Sequence, residues 1–340
     1  MAGGVGSRLY PISTPEKPKQ FLDLLGVGKT LIQLTYERFL AVDPEAHFWV
    51  VTSAAYHKLV REQLPDIPDE QILLEPVARN TAPCIAYVSW KIARRWPDAR
   101  VAVAPSDAYV PDVAAFAATL RSALDFVAVG ASSVQPGAPS VLPDSSSAFP
   151  DPYRGSTGAI VTVGITPDHP DTEYGYIHIA GSIPDGHPDS IPDGHPGALP
   201  AGHPGFLPDG PSRPDRESPI LKVSEFKEKP SLEVAERYLA EGGYFWNAGI
   251  FVYGVQTMID SLRAFVPGIA DLMDRLDPSL YTASEQPALE ELFPQCEKIS
   301  IDYAVMERSS CVYMAPATWA WSDLGSFAAI EKVTGKKLVF

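Results

Sequence analysis

Along the first 130 residues of the chain, segments with a strand-like pattern of apolar positions alternate with segments that have the helical spacing. Short apolar runs at 47–52 and 100–104 are typical of buried strands, whereas residues 81–96 repeat their apolar side chains at the helical spacing. Strands that alternate with helices predict an α/β fold with a mainly parallel sheet and helices on both faces. Ligands of such sheets bind beyond the carboxyl ends of the strands. The same pattern predicts a strand over 71–74 and helices over 31–40, 54–64 and 113–127.

The middle of the chain has a different composition. Residues 131–219 contain half of the 34 prolines, and an octapeptide repeat occupies residues 182–205. Proline removes backbone donors and glycine adds chain entropy, so we predict two mobile Pro/Gly-rich loop insertions, at about 131–156 and 181–219. The histidines of the repeat have no preformed geometry, which favours solvated side chains over a metal site. These histidines are His187, His195 and His203.

Regular elements are predicted again around and after the insertions. Apolar runs predict strands over 159–165, 174–179, 220–227, 249–253 and 311–315. The helical spacing predicts helices over 232–239, 256–265, 286–292 and 301–306, and a last helix from residue 326.

The composition is that of a globular protein with an acidic surface. The chain has 340 residues, 45% of them hydrophobic, and a formal net charge of −15. This length allows one large or two ordinary domains. The charge argues against nucleic acid and anionic membranes as partners, and no apolar stretch reaches the length of a membrane span, so we expect a cytoplasmic protein. The three cysteines, Cys84, Cys296 and Cys311, form neither a metal motif nor a disulfide framework.

The segment over residues 2–9 is suited to phosphate binding. Three glycines in four positions let the backbone approach a ligand and present free amides to phosphate oxygens. The side chains of Arg8, inside the segment, and Lys19, shortly after it, add positive charge on either side. A tight glycine turn with two solvated cations is the alternative. The residues concerned are Gly3, Gly4, Gly6, Ser7, Arg8 and Lys19.

Two other glycine motifs do not fit the sequence. A dinucleotide-binding fingerprint needs a glycine where Leu9 stands, and a strand before the loop. A P-loop ending in Lys29-Thr30 needs a glycine at the position of Asp23. Thr30 is better explained as the capping residue of the helix over 31–40.

Two isolated carboxylates are candidate cation ligands. Asp107 follows the strand over 100–104, where a carboxylate is a natural ligand for Mg²⁺ near phosphates, although aspartate also begins turns. Asp323 lies in an apolar segment, and charged groups are seldom placed there without a partner.

Residues 75–83 follow a predicted strand and lead into a helix. In one interpretation, Arg79 and Asn80 bind the base or the ribose of a nucleotide beside the glycine segment. In the alternative interpretation, Asn80 or Thr81 caps the helix.

Three later segments also have two interpretations. Glu228-Lys229 ends a strand, and it is either a surface charge pair or part of a site. Asn247 lies among aromatic residues, where an amide bonds sugar hydroxyls or completes a core turn. Residues 300–307 are predicted to begin a helix with Ser300 as its cap, and they are either part of a site or only structural.

These segments follow one another in a recognisable order. They are Gly3-Gly4-x-Gly6-Ser7-Arg8-Leu9-x-Pro11, Pro18-Lys19-Gln20-Phe21, Glu75-Pro-x-x-Arg79-Asn80-Thr81-Ala82-Pro83, Pro105-Ser-Asp107, Tyr174-Gly175-Tyr176-Ile177, Glu228-Lys229-Pro230, Trp246-Asn247-x-Gly249, Ser300-Ile-Asp302-Tyr303-Ala304 and Trp321-Ser-Asp323-Leu-Gly325. Together they resemble the sugar-1-phosphate nucleotidyltransferases. The Lys-Gln-Phe and Arg-Asn-Thr-Ala-Pro forms narrow the resemblance to bacterial mannose-1-phosphate guanylyltransferases. It covers nearly the whole chain outside the insertions.

The resemblance implies a fold and a reaction. The fold would be a Rossmann-like α/β domain of the nucleotide-diphospho-sugar transferase type over residues 1–332, followed by a short tail over 333–340. The reaction would form GDP-mannose and pyrophosphate from GTP and mannose 1-phosphate with Mg²⁺ as cofactor. A homodimer is consistent with the family.

The resemblance also implies residue roles. Arg8, Lys19, Asp107 and Asp323 would be catalytic, and the two aspartates would bind the metal. The nucleotide would contact Gly3, Gly4, Gly6, Ser7, Glu75, Arg79, Asn80 and Thr81. Mannose would contact Gly175, Glu228 and Asn247, and Lys229 would contact its phosphate.

The sequence departs from the family pattern in three places. The family has a buried strand before the glycine loop, whereas only Met1 precedes residues 2–9 in this sequence. The resemblance leads us to expect that the family's carboxyl-terminal β-helix-like piece is absent after Phe340. Ala108 stands where the family usually has a histidine. Two alternatives therefore stay open. One is a nucleotidyltransferase for another sugar 1-phosphate and nucleotide, and the other is a truncated, non-catalytic nucleotide-sugar binding protein.

Overall fold

The computed structural model describes residues 1–3, 7–129, 158–179 and 219–337. The predicted insertion at 131–156, residues 181–218 of the second one and the repeat histidines lie outside these ranges, so the predicted domain boundaries stay a prediction. None of the helices in the described ranges is long and apolar enough to cross a bilayer. All three cysteines are buried, and none of them forms a disulfide within the described residues.

The first half contains the predicted alternation of strands and helices. The pattern is confirmed with boundary shifts of one to three residues at most ends. The elements are α1 (Leu31–Leu40), β1 (Val50–Ser53), α2 (His57–Gln63), β2 (Ile72–Glu75), α3 (Thr81–Arg95), β3 (Arg100–Val103) and α4 (Val113–Val129).

The second half differs from the prediction in three elements. A helix over Pro267–Leu276 was not predicted, the strand expected at 249–253 already begins at Tyr244, and the helix expected at 301–306 is a single π-helical turn over Asp302–Met306. The elements are β4 (Ile160–Ile165), β5 (Gly175–Ile179), β6 (Leu221–Glu228), α5 (Leu232–Glu241), β7 (Tyr244–Gly254), α6 (Val255–Phe265), α7 (Pro267–Leu276), α8 (Glu285–Leu292), β8 (Val312–Pro316) and α9 (Phe327–Thr334).

The strands form two sheets of different character. β1 and β2 pair in parallel, and the other strands form a six-stranded sheet in the order β3-β7-β4-β8-β6-β5. In that sheet β4 and β8 are parallel, while the pairs β3–β7, β4–β7, β5–β6, β5–β7 and β6–β8 are antiparallel. The α/β class is confirmed, but the prediction of a mainly parallel sheet is wrong for the second half. The long strand β7 runs antiparallel to β3, β4 and β5, so most neighbours in this sheet have opposite directions.

Helices cover both faces of the large sheet, as expected. Successive residues of a strand point to opposite faces, so Ile160 packs in the core beneath α3, α6 and α7, and Val161 packs on the other side, beneath α4. Each fully buried aliphatic side chain of this kind contributes about 1.5–3 kcal/mol. This double core fixes the strand ends from which the polar side chains of the site project.

Residues 1–2 lie between the two sheets. The amino group of Met1 donates to the carbonyl of Ala104 at 2.8 Å, and the Ser106 amide donates to the Met1 carbonyl at 3.1 Å, which is the pattern of a parallel ladder. On the other side, the Ala2 amide donates to the Val51 carbonyl at 2.8 Å. Burial lowers the pKa of the Met1 amine. These bonds place Met1 just after the carboxyl end of β3 and Ala2 beside β1, and the glycine segment continues from there.

The remaining space between β1 and β3 is a cavity of about 740 Å³. Its lining is mostly apolar and comes from α1, β1, α3 and β3. Its lining does not include Lys19, Asp107 or Asp323, and its charged residues, such as Asp43, Arg95 and Asp98, are not those of the candidate site. The candidate chemistry therefore lies outside this cavity.

Candidate active site

Lys19 brings two distant segments together. Its Nζ lies 3.1 Å from Oδ2 of Asp107 and donates to the backbone carbonyl of Asp323 at 2.5 Å. Only 10% of the Lys19 side chain is exposed. The neighbouring Gln20 donates from Nε2 to the Ala2 carbonyl at 3.0 Å, which fixes the Lys19 turn beside the glycine segment. Both predicted metal-binding residues thus lie around one ammonium group.

A short antiparallel bridge joins the segments that carry the two aspartates. The Tyr109 amide donates to the Ser322 carbonyl at 2.8 Å, and the Ser322 amide donates to the Tyr109 carbonyl at 3.1 Å. Asp107 is two residues before this bridge and Asp323 directly follows it. The relative position of the two aspartates is therefore set by backbone bonds as well as by Lys19.

The Asp323 carboxylate has a defined orientation. Oδ1 accepts hydrogen bonds from the Tyr174 hydroxyl at 2.9 Å and from the Gly325 amide at 3.0 Å. Oδ2 faces Arg8, whose Nη2 is 3.8 Å away. A Cβ at position 325 would overlap the carboxylate, which explains the glycine there. One oxygen of Asp323 is thus bound by neutral donors, and the other faces a cation.

Arg8 is the more exposed of the two predicted cations. Its Nη1 lies 3.1 Å from Oε2 of Glu173, and the two side chains are 58% and 59% exposed. An exposed ion pair of this kind contributes little to stability, so Arg8 can exchange Glu173 for an anionic ligand at small cost. Gly4 and Gly6, which precede it, lie outside the described residues, and Ser7 begins a 3₁₀ turn.

The donor set fits a divalent cation that is completed by a substrate. The described residues contain no cluster of three or more His, Cys, Asp or Glu side chains that could bind a metal by themselves. Mg²⁺ commonly uses one or two carboxylates together with substrate phosphates and water. Asp107 and Asp323 provide two hard oxygen donors of this type.

Glu75 is a buried acid beside the glycine segment. It is the last residue of β2 and is 8% exposed, and its Oε1 has no hydrogen-bond partner among the described residues. A Cβ at Gly3 would lie 3.5 Å from its Oε2. Burial raises the pKa of Glu75 to about 7, although the Met1 amine and Cys84 counteract the rise. A buried, unpaired acceptor or acid is suited to recognition of a polar ligand edge.

The side chains of residues 79–81 make structural contacts. Asn80 has φ of 69°, and its Oδ1 accepts a hydrogen bond from the Thr81 amide at 2.8 Å at the start of α3. The Thr81 hydroxyl accepts from the Ile301 amide at 2.8 Å. Arg79 donates from Nη2 to the Pro294 carbonyl, and its buried Nε has no partner among the described residues. The capping interpretation therefore accounts for Asn80, whereas Arg79 keeps an unused donor.

A second group of site residues, Gly175, Glu228 and Lys229, lies at the start of β5 and the end of β6. Gly175 is opposite Glu228 in the antiparallel ladder, and a Cβ at Gly175 would lie 2.5 Å from Oε2 of Glu228. Lys229 has φ of 47°, so the strand ends, and its Nζ lies 2.5 Å from Oε1 of Glu228. The Glu228 side chain is only 9% exposed, so the interpretation as a surface charge pair is wrong for this residue. Burial lowers the pKa of Lys229, but Glu228 and Asp302 raise it above its ordinary value.

Asn247 connects this group to a residue that was not predicted for the site. Its Oδ1 accepts from the Thr162 hydroxyl at 2.9 Å, and its Nδ2 donates to Oδ1 of Asp302 at 3.0 Å. Burial and the nearby Glu228 raise the pKa of Asp302 to about 7. In the sequence, Asp302 belongs to a predicted helix start and to one of the family motifs, but it was assigned no role. Tyr174, which bonds Asp323, was likewise part of a motif without an assigned role.

The raised pKa of Glu75 makes the stability of the fold depend on pH. The folded chain keeps this proton up to about pH 7, whereas an unfolded glutamate loses it near the ordinary value of 4.5. Because the native state binds the extra proton between these values, the free energy of unfolding falls as pH rises through that window, by at most about 3 kcal/mol. We expect Glu75→Gln to abolish this part of the fall, so that the variant gains stability over wild type at pH 8 and not at pH 4.5.

Urea unfolding at several pH values measures this effect. Glu236→Gln on the exposed side of α5 is the matched control, and it should follow the wild-type curve. If the free energy of unfolding depended on pH equally in Glu75→Gln and wild type, the proton bound by the native state would not be on Glu75.

Comparison with known proteins shows one family over most of the chain. A sequence profile of the nucleotidyl transferase family matches residues 1–136 and 210–338. A mannose-1-phosphate guanylyltransferase of Escherichia coli K12 is 32% identical over 98% of this chain, and the xanthan biosynthesis protein XanB of Xanthomonas campestris (strain B100) is 31% identical over 98%. The chain spans 59% and 58% of the lengths of these two relatives.

Solved structures agree with this assignment. A Thermus thermophilus protein described as a mannose-1-phosphate geranyltransferase superposes with a TM-score of 0.71 at 28% identity, covering 99% of this chain and 78% of that one. A Helicobacter pylori protein described as a mannose-6-phosphate isomerase has a TM-score of 0.61 at 24% identity and covers 90% of this chain and 95% of its own. The second likeness shows the fold alone.

Proposed function

Because the chain belongs to the nucleotidyl transferase family, we propose that it forms GDP-mannose and pyrophosphate from GTP and mannose 1-phosphate. The relatives named as mannose-1-phosphate guanylyltransferases support this choice of substrates. The observation that carries the proposal is the position of Lys19 between Asp107 and Asp323, next to the glycine segment. A nucleotidyl transfer needs positive charge and cation ligands together at the triphosphate.

The proposed roles follow from the two polar groups. The amides from Gly3 to Gly6 and Ser7, with Arg8 and Lys19, contact the triphosphate. Glu75, Arg79, Asn80 and Thr81 form the base and ribose side, where Glu75 and Arg79 provide unused buried atoms. Gly175, Glu228 and Asn247 form the mannose side, and Lys229 binds its phosphate.

The reaction is an in-line displacement at the α-phosphorus of GTP. An oxygen of mannose 1-phosphate forms the new bond to phosphorus, and the bond to the bridging oxygen of pyrophosphate breaks. The attacking phosphate is already an anion, so no side chain has to remove a proton. Positioning and neutralisation of charge are then the main contributions of the protein. Arg8 and Lys19 stabilise the charge that develops on the leaving pyrophosphate.

Nucleotidyl transferases of this family generally use a divalent metal, and we propose Mg²⁺ here. Asp107 and Asp323 would bind it. When bound, the ion neutralises charge on the α-phosphate and on the attacking phosphate. The two aspartates act by fixing the place of that charge relative to Lys19. A cytoplasmic location and a homodimer stay predictions from the sequence.

Pyrophosphate release by the full chain tests the proposal. The purified protein is incubated with GTP and mannose 1-phosphate, with Mg²⁺ or with a chelator, and the sugar product is identified by chromatography. We expect GDP-mannose only when the metal and both substrates are present. Parallel reactions with ATP, UTP or dTTP and with glucose 1-phosphate measure selectivity. A different preferred pair would replace the substrates in our proposal, and binding without any product would favour a non-catalytic nucleotide-sugar binding protein.

A substitution at Gly175 tests the mannose side. Because a Cβ there would lie 2.5 Å from Oε2 of Glu228, Gly175→Ala has to displace that carboxylate. Overpacking of this kind costs about 1–3 kcal/mol, so we expect the KM for mannose 1-phosphate to rise about tenfold, with a smaller change in the KM for GTP. Initial rates at varied substrate concentrations measure both constants. Gly268→Ala, where an added Cβ meets nothing within 4 Å, is the control. An unchanged KM for the sugar phosphate in Gly175→Ala would remove Glu228 from the proposed site.

A further inference from the structure

Tyr174 lies between the two groups of site residues, one around Lys19 and Asp323 and the other around Glu228 and Lys229. Its hydroxyl donates to Oδ1 of Asp323 at 2.9 Å, on the side of Lys19 and the glycine segment. Its backbone carbonyl accepts from the Lys229 amide at 3.3 Å, on the side of Glu228. The two residues bonded by the hydroxyl are 149 positions apart in sequence. One side chain therefore connects the segment before β5 to the carboxylate after β8.

The Tyr174 ring is fixed by aromatic contacts. Its centroid lies 5.1 Å from that of Trp246 and 5.3 Å from that of Trp321, with interplanar angles of 63° and 69°. Edge-to-face contacts of this geometry favour one ring orientation. The neighbouring Trp246 belongs to β7, so the ring is oriented by the large sheet. The hydroxyl consequently has one direction in which to donate, and Asp323 lies there.

This hydrogen bond distinguishes the two oxygens of Asp323. Oδ1 accepts from Tyr174 and from the Gly325 amide at 3.0 Å, and Oδ2 faces the guanidinium of Arg8 at 3.8 Å. An aspartate carboxylate with one oxygen bound in this way loses rotational freedom about its Cβ–Cγ bond. It then presents the other oxygen to a cation without a further entropic cost.

We propose that Tyr174 is a positioning residue whose hydroxyl orients the Asp323 carboxylate for a divalent cation. The inference rests on the proposed function, because it assumes that Asp323 binds a metal. It adds that Tyr174 itself touches neither substrate nor metal with its hydroxyl. Hydrogen-bond partners of metal ligands change metal affinity or activity by about 10- to 100-fold.

Tyr174→Phe tests this role with little disturbance of packing. Phenylalanine fills the same space between the two indole rings and removes only the donor. The matched control is Tyr176→Phe, because the Tyr176 hydroxyl accepts from the Asp171 amide at 3.0 Å and has no bond to Asp323. Binding of Mn²⁺ to the protein in the presence of GTP, measured by electron paramagnetic resonance against a protein-free sample of Mn²⁺ and GTP, is the direct readout, and the Tm of both variants is measured beside it.

We expect Tyr174→Phe to raise the Kd for Mn²⁺ about tenfold or more, with Tm close to wild type, and Tyr176→Phe to stay within about twofold. In turnover assays the half-saturating Mg²⁺ concentration should rise in Tyr174→Phe while the KM for GTP at saturating Mg²⁺ changes little. Equal Mn²⁺ affinity in Tyr174→Phe and wild type would overturn the inference and leave the proposed function standing. Failure of wild type to bind Mn²⁺ and to form GDP-mannose would instead overturn the proposed function.

Discussion

Replacement of Lys19 by alanine is expected to lower the kcat for GDP-mannose formation by about 100-fold or more. The Lys19 ammonium is buried between Asp107 and the Asp323 carbonyl, so it is an oriented charge in a site with little water. Loss of one preorganised electrostatic contact typically costs about 10²- to 10³-fold in turnover. Steady-state initial rates at saturating GTP, mannose 1-phosphate and Mg²⁺ measure the effect.

A nearby lysine provides the control for this experiment. Lys17→Ala removes the same charge from an exposed position in the same loop, and its turnover should stay within about twofold of wild type. The Tm of Lys19→Ala is recorded as well, because the variant leaves the Asp107 carboxylate without this partner. Wild-type turnover in a folded Lys19→Ala would reject the role of Lys19 in the reaction.

Asp107→Asn is expected to lower turnover by about 100-fold and to raise the half-saturating Mg²⁺ concentration. The amide keeps the size of the side chain but removes the Asp107 carboxylate, one of the two that are proposed to bind the metal and the one that pairs with Lys19. A metal that depends on two protein oxygens and on phosphates loses affinity when one charge is removed. Titration of Mg²⁺ at fixed substrate concentrations, with kcat at the plateau, separates the two effects.

The direction of the Mg²⁺ effect distinguishes the two variants. Lys19→Ala removes a positive charge next to the proposed cation, so the half-saturating Mg²⁺ concentration should stay equal or fall, whereas in Asp107→Asn it should rise. Asp98→Asn, an exposed aspartate before β3, is the matched control and should behave as wild type. A normal Mg²⁺ titration in Asp107→Asn would show that the metal does not depend on this residue.

Long periodic elements were predictable from the sequence because their signals are local. α3 and the strands of the first half follow from apolar spacing within a dozen residues. α7 was not predicted, although it begins with Pro267, and proline is well suited to the first turn of a helix. Strand direction in the second half depends on which distant strands pair, which no local pattern records.

The candidate site was predictable where a motif carries its own chemistry. Asp107 and Asp323 were expected together, and Lys19 contacts the carboxylate of Asp107 and the backbone carbonyl of Asp323; their role in metal binding stays a prediction. Tyr174 and Asp302 were not assigned roles, because their contacts are single hydrogen bonds to residues far away in sequence. A tyrosine or an aspartate at a helix start has many common explanations, and only folding reveals the partner.

The long strand β7 sets the separation between the two halves of the proposed site. Along one edge, its first residues pair with β5, which begins at Gly175, and its last residues pair with β3, which leads to Asp107. An extended strand advances about 3.3 Å per residue and stretches very little. The length of β7 therefore fixes the distance between the strand ends that carry the two halves of the proposed site. In the proposed reaction, movements of loops and side chains, and not a hinge between the two halves, would bring the phosphates of GTP and mannose 1-phosphate together.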